Sequence, residues 1–167
     1  MPIKNIFQNI AYVLSIFSST QAKLHIGQKA PDFVLIDDHG KQRSLSLCKG
    51  KKVALVFYPA DGSPYCTKQA KAIKNDFEKL AKHDIVVFGL SQDSTAKHKA
   101  FKEKYSLPFD LLTASKPVLN DYCAGGWIAN KRITFLVDEK GVIVDIINHV
   151  NIQKHAQQIL DGFGIKL

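Results

Sequence analysis

Two hydrophobic periodicities divide this chain into strands and helices. Short runs rich in β-branched and aromatic residues predict strands at residues 32–37, 42–47, 53–58, 85–90, 132–137 and 142–147. Apolar residues at helical spacing within lysine-rich or polar segments predict helices at 67–82, 94–105 and 116–122, and a last helix capped by Asn151 with Gly162 past its end. Turns at 38–40 and 138–141 make hairpins of the first and last strand pairs. Strands that alternate with helices predict an α/β sheet covered on both faces.

The first 22 residues have a different pattern from the rest. Lys4 is their only charged side chain, residues 10–17 are an apolar core, and 20–22 end in small residues. This layout is typical of a secretory signal peptide, and it is too short and interrupted for a transmembrane helix. The alternative is an N-terminal extension on a cytoplasmic protein. We therefore predict a signal peptide or extension at 1–22 and one domain at 23–167, exported to the periplasm or secreted if the segment is cleaved.

Cys66 is the residue whose surroundings most strongly indicate chemistry. It follows the predicted strand 53–58 and stands in the first turn of the next helix, where Ser63 suits the N-cap and Pro64 the first helical position. Free backbone amides and the positive end of the helix dipole stabilise an anion there. The position therefore favours a reactive thiolate. The alternative is that Cys66 is a small buried hydrophobic residue.

Two blocks of sequence resemble the peroxiredoxin family. Pro59-x-x-x-Ser63-x-x-Cys66 is similar to the signature Pro-x-x-x-Thr/Ser-x-x-Cys, and the segment from Arg132 to Asp138 is similar to the block Arg-x-Thr-Phe followed by an apolar strand. Shorter matches, in the family's order, lie at 30–33, 50–51, 89–94, 98, 101, 107–109 and 111–112. The resemblance runs from about Gly27 to the C-terminus and is closest to the bacterioferritin-comigratory (Q-type) branch. It implies a thioredoxin-like fold, with a central mixed sheet flanked by helices and an N-terminal β-hairpin.

The resemblance also implies an activity and a set of site residues. The chain would be a thiol-dependent peroxidase for hydrogen peroxide and organic hydroperoxides, with Cys66 as the nucleophile that becomes a sulfenic acid. Arg132 would hold the thiolate and the peroxide oxygens through its fixed donors. Ser63 would cap the helix and donate its hydroxyl proton to sulfur or peroxide, Pro59 would close the pocket against water, and Thr134 would support the site.

The thiol that regenerates Cys66 is left open by the sequence. Many Q-type members carry a resolving cysteine five residues after the nucleophile, where this chain has Lys71, and the next predicted helix, 94–105, contains no cysteine. Cys48 precedes the strand that Cys66 follows, which separates them by about 20 Å, beyond disulfide reach. Cys123 is the remaining candidate for a resolving cysteine. An external thiol, from thioredoxin, glutaredoxin or a small molecule, is the other route.

The charge and composition of the chain limit the kinds of molecule that it is expected to bind. The formal net charge is +8, and much of the excess lies on two predicted helices, as expected for solvated faces. We find no nucleic-acid-binding motif, and the six histidines lack metal-ligand spacing, so we predict no nucleic acid, metal or cofactor. We expect no stable membrane association once the N-terminal segment is processed, and a monomer or weak homodimer.

Two other functional classes share the predicted fold. A thioredoxin-like thiol-disulfide oxidoreductase needs Cys-x-x-Cys, but the fourth position here is Gln69, and Ile133 stands where thioredoxins carry a cis-proline. A non-catalytic binding or chaperone module would have no need to combine Ser63, Cys66 and Arg132. Both alternatives are therefore disfavoured, and a peroxide assay separates them from a peroxidase.

Overall fold

A five-stranded mixed sheet forms the centre of the protein in the computed structural model, which describes residues 23–166. The strands are β1 (Val34–Ile36), β2 (Gln42–Ser44), β3 (Lys52–Phe57), β4 (Ile85–Ser91), β5 (Asp110–Thr113), β6 (Ile133–Val137) and β7 (Ile143–Ile147). The helices are α1 (Pro64–Asn75), α2 (Phe77–Ala81), α3 (Thr95–Tyr105), α4 (Lys116–Asp121) and α5 (His155–Gly162), with a 3₁₀ turn at Ser46–Cys48. The sheet order is β5-β4-β3-β6-β7, and β1 and β2 form the separate hairpin. The predicted mixed sheet with an N-terminal hairpin is confirmed.

The N-terminal prediction falls outside this description. The proposed signal peptide or extension covers residues 1–22, which lie outside the described residues. Between residues 23 and 166, none of the helices combines the length and the apolar character needed to cross a bilayer.

Alternating side chains on β3 divide the core into two layers. Val53, Leu55 and Phe57 point to the side covered by the β1–β2 hairpin and α4, which we call the hairpin face. Ala54 and Val56 point to the opposite side, covered by α1, α3 and α5, which we call the α1 face. Both faces are buried, so a central strand such as β3 is a continuous apolar run instead of an alternating one.

Strand directions bring two distant segments to one edge of the sheet. β3 and β4 run parallel, whereas β6 runs antiparallel to β3 and pairs Ile133 with Phe57. The chain therefore leaves β3 and enters β6 at the same end of the sheet. The loop before α1 and the residue just before β6, Arg132, meet there.

The predicted helix at 67–82 is interrupted. α1 ends at Asn75, Asp76 adopts φ −107° and ψ 13°, and the shorter α2 follows. The side chains of Asn and Asp compete for backbone hydrogen bonds and lower helix propensity, which explains a break at this dipeptide. The apolar spacing continues across the break, as Leu80 is fully buried.

The last helix begins later than predicted. Asn151 does cap backbone amides, because its Oδ1 accepts from the N–H groups of Gln153 and Lys154 at 3.1 and 3.2 Å. Those amides belong to a turn that precedes the helix, and α5 itself starts at His155. Gly162, predicted to lie past the end, is the last helical residue.

Candidate active site

Cys66 lies in the first turn of α1 on the side of the helix that faces the sheet. Ser63 is the N-cap residue in extended conformation and Pro64 is at the start of the helix, as predicted. Cys66 is only 2 % exposed because it shares a helix face with Ala70 and Ile73. The thiol borders a small apolar cavity with Val56 and Tyr58 on the α1 face.

Arg132 is the charged partner of Cys66. Its Nη2 donates to Cys66 Sγ at 3.4 Å, and its Nη1 donates to Oε1 of Gln69. The two contacts use both arms of the guanidinium and fix its plane beside the sulfur. The contact places a permanent positive charge next to the sulfur. The predicted pairing of Cys66 and Arg132 is therefore present in the structure.

Gln69 is a site residue that the sequence reasoning missed. It is 2 % exposed and follows Cys66 by one helical turn, so both side chains project from the same face of α1. Its Oε1 binds Arg132, and its Nε2 is buried without a hydrogen-bond partner among residues 23–166. The only signal in the sequence was the spacing of three residues after Cys66, which places both side chains on one helix face, but a glutamine usually indicates a solvated helix position.

Ser63 departs from its predicted capping role. Its hydroxyl donates to the carbonyl oxygen of Ala60 at 3.2 Å instead of accepting an amide of α1. The Ala60 carbonyl lies within reach because the loop turns at Gly62, which has φ +77°. The Ser63 carbonyl accepts the first intrahelical hydrogen bond, from the Thr67 amide at 2.9 Å, and no side chain of this residue caps the free amides of the first turn. Pro59 is partly buried in the same loop.

Thr134 connects the site to α5. It is fully buried, and its Oγ1 lies 3.0 Å from Nε2 of His155, whose Nδ1 lies 3.2 Å from Oε1 of Gln158. The Gln158 oxygen only accepts, so the ring proton lies on Nδ1, and Nε2 accepts the Thr134 hydroxyl proton. Burial lowers the pKa of His155 to about 4, and the nearby charge of Arg132 acts in the same direction. The imidazole is therefore neutral at pH 7.

We predict that His155 makes the protein acid-sensitive. The unfolded histidine has a pKa of 6.5 and the folded one about 4, so the unfolded state binds the proton more readily as the pH falls through this window. Moving from pH 7 to pH 5 should lower the free energy of unfolding by about 2 kcal/mol through this residue alone. Urea denaturation of wild type and His155→Gln across this range measures the difference in slope. His149→Asn, at an exposed histidine before α5, is the control. Parallel curves for wild type and His155→Gln would contradict the prediction.

The other two thiols lie on the far side of the sheet from Cys66. None of the three cysteines takes part in a disulfide. Cys48 packs against the hairpin-face core, and burial raises the pKa of its thiol. Cys123 lines a groove of about 790 Å³ together with Ile133 and Phe135, which also belong to the hairpin face. Cys66 faces the α1 layer, so the sheet stands between it and both other thiols.

The histidines and acidic residues do not form a metal-binding group in the described chain. Among residues 23–166, no three His, Cys, Asp or Glu side chains cluster in a way that could hold a metal ion.

The chain is similar in sequence to proteins of known family. Residues 26–146 match the AhpC/TSA family. The chain is 40 % identical over 149 residues to a putative peroxiredoxin Bcp of Coxiella burnetii, covering 82 % of this chain and 97 % of that protein. It is 38 % identical over 147 residues to peroxiredoxin Bcp of Bacillus subtilis, covering 82 % and 93 % of the two chains.

The fold is also shared with solved structures. The crystal structure of peroxidoxin BcpB from Mycobacterium tuberculosis superposes with a TM-score of 0.79 at 27 % identity, covering 86 % of this chain and 99 % of that one. The coverage and the TM-score confirm the predicted thioredoxin-like fold of peroxiredoxin type. The chain belongs to the AhpC/TSA family and is a peroxiredoxin of the bacterioferritin-comigratory (Q-type) branch, a thiol-dependent peroxidase.

Proposed function

We propose that Cys66 is the peroxidatic cysteine and that Arg132 activates both it and the peroxide. The observation that supports this most directly is the 3.4 Å contact between Arg132 Nη2 and Cys66 Sγ. It joins a thiol at a helix N-terminus to a fixed cation inside a site that is almost closed to water. Such a site stabilises the negative charge that builds on a leaving oxygen.

The reaction follows from these groups. The Cys66 thiolate attacks one peroxide oxygen, a sulfur–oxygen bond forms, and the O–O bond breaks. The departing oxygen takes a proton and leaves as water or an alcohol, while the sulfur becomes a sulfenic acid. Arg132 and the first-turn amides stabilise the charge on the leaving oxygen during bond cleavage.

Three further residues have supporting roles in this proposal. Ser63, whose hydroxyl now faces the Ala60 carbonyl, turns toward the peroxide when substrate enters, because a hydroxyl rotates freely about its bond. Pro59 limits water at the mouth of the pocket. Thr134 holds its hydroxyl against His155 and fixes the floor of the site below Arg132.

We propose that an external thiol regenerates Cys66. A first thiol displaces water from the sulfenic acid to form a mixed disulfide, and a second thiol releases reduced Cys66 and an external disulfide. Thioredoxin, glutaredoxin and small thiols all fit this scheme. Capture by Cys123 is the second route, and it requires the loop before β6 to carry Cys123 past the edge of the sheet.

A map of the oxidised cysteines tests this scheme. After one equivalent of hydrogen peroxide, and with a sulfenic acid trap present, mass spectrometry should find the modification on Cys66. Cys48→Ser should leave both the map and the turnover unchanged, because Cys48 lies at the other end of β3 and on the other face. A Cys66–Cys123 disulfide would select the second route. A Cys48–Cys66 disulfide formed in the folded protein would contradict both routes.

We also propose that residues 1–22 are removed during export. Support comes from their signal-like pattern and from the family match, which begins only at residue 26. N-terminal sequencing of the protein isolated from its host tests this, and a mature chain that still begins at Met1 would refute it.

We propose that the protein is a monomer or weak homodimer. The net charge, +8 for the whole chain and +7 once Lys4 is removed with residues 1–22, opposes self-association. Sedimentation measures the oligomeric state.

A further inference from the structure

A second buried polar cluster lies in the loop that leads to Cys66. Asp61 is 5 % exposed, and its two carboxylate oxygens have different partners. Oδ1 accepts the hydroxyl proton of Tyr58, and Oδ2 lies 2.7 Å from Nδ1 of His98 on α3. His98 is fully buried. We call these three residues the Asp61 cluster; the peroxide chemistry described above does not use it.

The backbone of the same loop is fastened to the same part of the structure. The amide of Asp61 donates to Oδ2 of Asp93 at 2.7 Å, and that oxygen also accepts from the Ser91 hydroxyl at 2.7 Å. Asp93 follows β4 and precedes α3, and its carbonyl accepts from Thr113 at 2.9 Å. The loop between β3 and α1 is therefore tied to the β4–α3 segment through both its backbone and its side chain.

Burying the imidazole of His98 costs free energy, and packing alone does not explain why a histidine is present. Oδ2 of Asp61 accepts from the ring nitrogen Nδ1, whereas the other ring nitrogen, Nε2, has no hydrogen-bond partner within residues 23–166. Burying a polar atom without a partner costs free energy, and an apolar side chain would avoid the loss. The contact that distinguishes histidine from a leucine at this position is the one from Nδ1 to Asp61.

The cluster is continuous with the pocket of Cys66. Tyr58 lines the same small cavity as the thiol, and so does Phe101, one turn after His98 on α3. Burial raises the pKa of Tyr58 well above its usual value, so the phenol keeps the proton that it donates to Asp61. Only Gly62 and Ser63 separate Asp61 from the first residue of α1. Movement of Asp61 would therefore displace the first turn of α1.

We propose that Asp61 and His98 are positioning residues for Cys66: their contact holds the β3–α1 loop against α3 and so keeps the sulfur within reach of Arg132. This inference rests on the proposed role of Cys66 as the peroxidatic cysteine. Neither residue touches the peroxide. They act through the backbone of the loop and through Tyr58.

Two reactions of Cys66 respond in opposite directions to this contact. Attack on peroxide needs the sulfur beside Arg132, so weakening the contact slows it. A bulky reagent cannot reach a thiol that is 2 % exposed, so labelling by such a reagent requires the first turn of α1 to open. Weakening the contact therefore speeds the labelling. A general loss of stability that leaves the protein mostly folded would not slow the attack on peroxide, so it would not change the two rates in opposite directions.

The test compares His98→Leu with His98→Asn in the full-length reduced protein. Leucine replaces the ring with apolar volume and removes the donor, whereas asparagine leaves a void but keeps an N–H near the position of Nδ1. We expect His98→Leu to lower the second-order rate constant for hydrogen peroxide by about tenfold or more. Labelling of Cys66 by a polyethylene-glycol maleimide, followed by peptide mapping, should rise about fivefold. His98→Asn should stay within about threefold of wild type in both measurements.

The proposal is decided by which of the two variants, His98→Leu or His98→Asn, reacts faster with peroxide. Packing alone predicts that leucine is the better replacement, so a peroxide rate for His98→Leu equal to or above that of His98→Asn would overturn the inference. Equal labelling in all three proteins would overturn it as well. If wild type failed to consume peroxide, the proposed function would be wrong, and the labelling order would still test the positioning role.

Two further variants serve as a substitute and as a control in this experiment. Tyr58→Phe removes one hydrogen bond to Asp61 with little change in volume, and it should shift both measurements in the same directions as His98→Leu by a smaller factor. It replaces His98→Leu if that protein does not fold, and unchanged values would then overturn the inference. His83→Leu, at the opposite end of β4, is the matched control and should leave both measurements unchanged.

Discussion

Replacing Cys66 with serine is expected to abolish peroxide consumption while preserving the fold. A serine hydroxyl remains protonated at neutral pH and is a poor nucleophile, so neither Arg132 nor the helix N-terminus can make it attack peroxide. The change removes one sulfur from a small cavity, which is a minor change in packing. The measurement is loss of hydrogen peroxide under an excess of thiol reductant, with thermal unfolding to confirm that the variant is folded.

Cys48→Ser is the matched control for this experiment. It makes the same chemical change at a partly buried thiol on the opposite face of the sheet and should retain wild-type turnover. Undiminished turnover in Cys66→Ser would instead locate the reactive thiol elsewhere and refute the proposed site.

Arg132→Lys is expected to lower the peroxide rate by about 30- to 1000-fold. Lysine keeps the positive charge but loses the planar fork that contacts Cys66 and Gln69 together. Loss of one oriented donor to developing charge is worth about 2–4 kcal/mol of barrier, which gives this range. The second-order rate constant for hydrogen peroxide is the quantity to measure, because it reports the attack step without the recycling steps.

Lys131→Arg provides the reciprocal control at the neighbouring position. Lys131 is exposed, and its Nζ donates to the Cys123 carbonyl at 3.0 Å, a contact that an arginine can also make. Its peroxide rate should match wild type. Near-full activity in Arg132→Lys would show that charge alone suffices and that the geometry of the fork is unimportant.

The parts of the fold and site that the sequence predicted correctly depend on local patterns. β3 and β4 are continuous runs of apolar residues, and such runs indicate buried strands without any knowledge of neighbours. The place of Cys66 in a first helical turn follows from the local order of strand, Ser63 and Pro64. The pairing of Cys66 with Arg132 came from the family resemblance, because no local pattern joins residues so far apart.

Helix ends were harder to predict, because a short polar side chain can form a hydrogen bond with more than one nearby backbone group. Ser63 could bind an amide of α1 or the Ala60 carbonyl, and the turn at Gly62 selects the carbonyl. Asn151 does cap amides, but those of a turn before α5. For each of these residues, the alternative hydrogen-bond partners differ in free energy by only about 1 kcal/mol. Residue preferences in the sequence cannot resolve so small a difference.

Long-range contacts account for the residues that were missed. Gln69 reaches Arg132 across 63 positions, and His155 reaches Thr134 across 21. Each contact exists only after β6 has paired with β3 and α5 has packed on the α1 face. A polar residue on a helix is predicted to face solvent until its tertiary partner is known.

The sheet that separates Cys66 from Cys48 and Cys123 has a kinetic consequence for the external-thiol route. A resolving thiol held nearby in the same chain acts at a fixed, high effective concentration that does not depend on supply. Without such a neighbour, the oxidised sulfur reacts at a rate proportional to the free thiol around the protein. A second peroxide molecule competes for the same sulfur and converts it irreversibly to the sulfinic acid. The ratio of reductant to peroxide therefore sets how many turnovers a chain completes before it is inactivated.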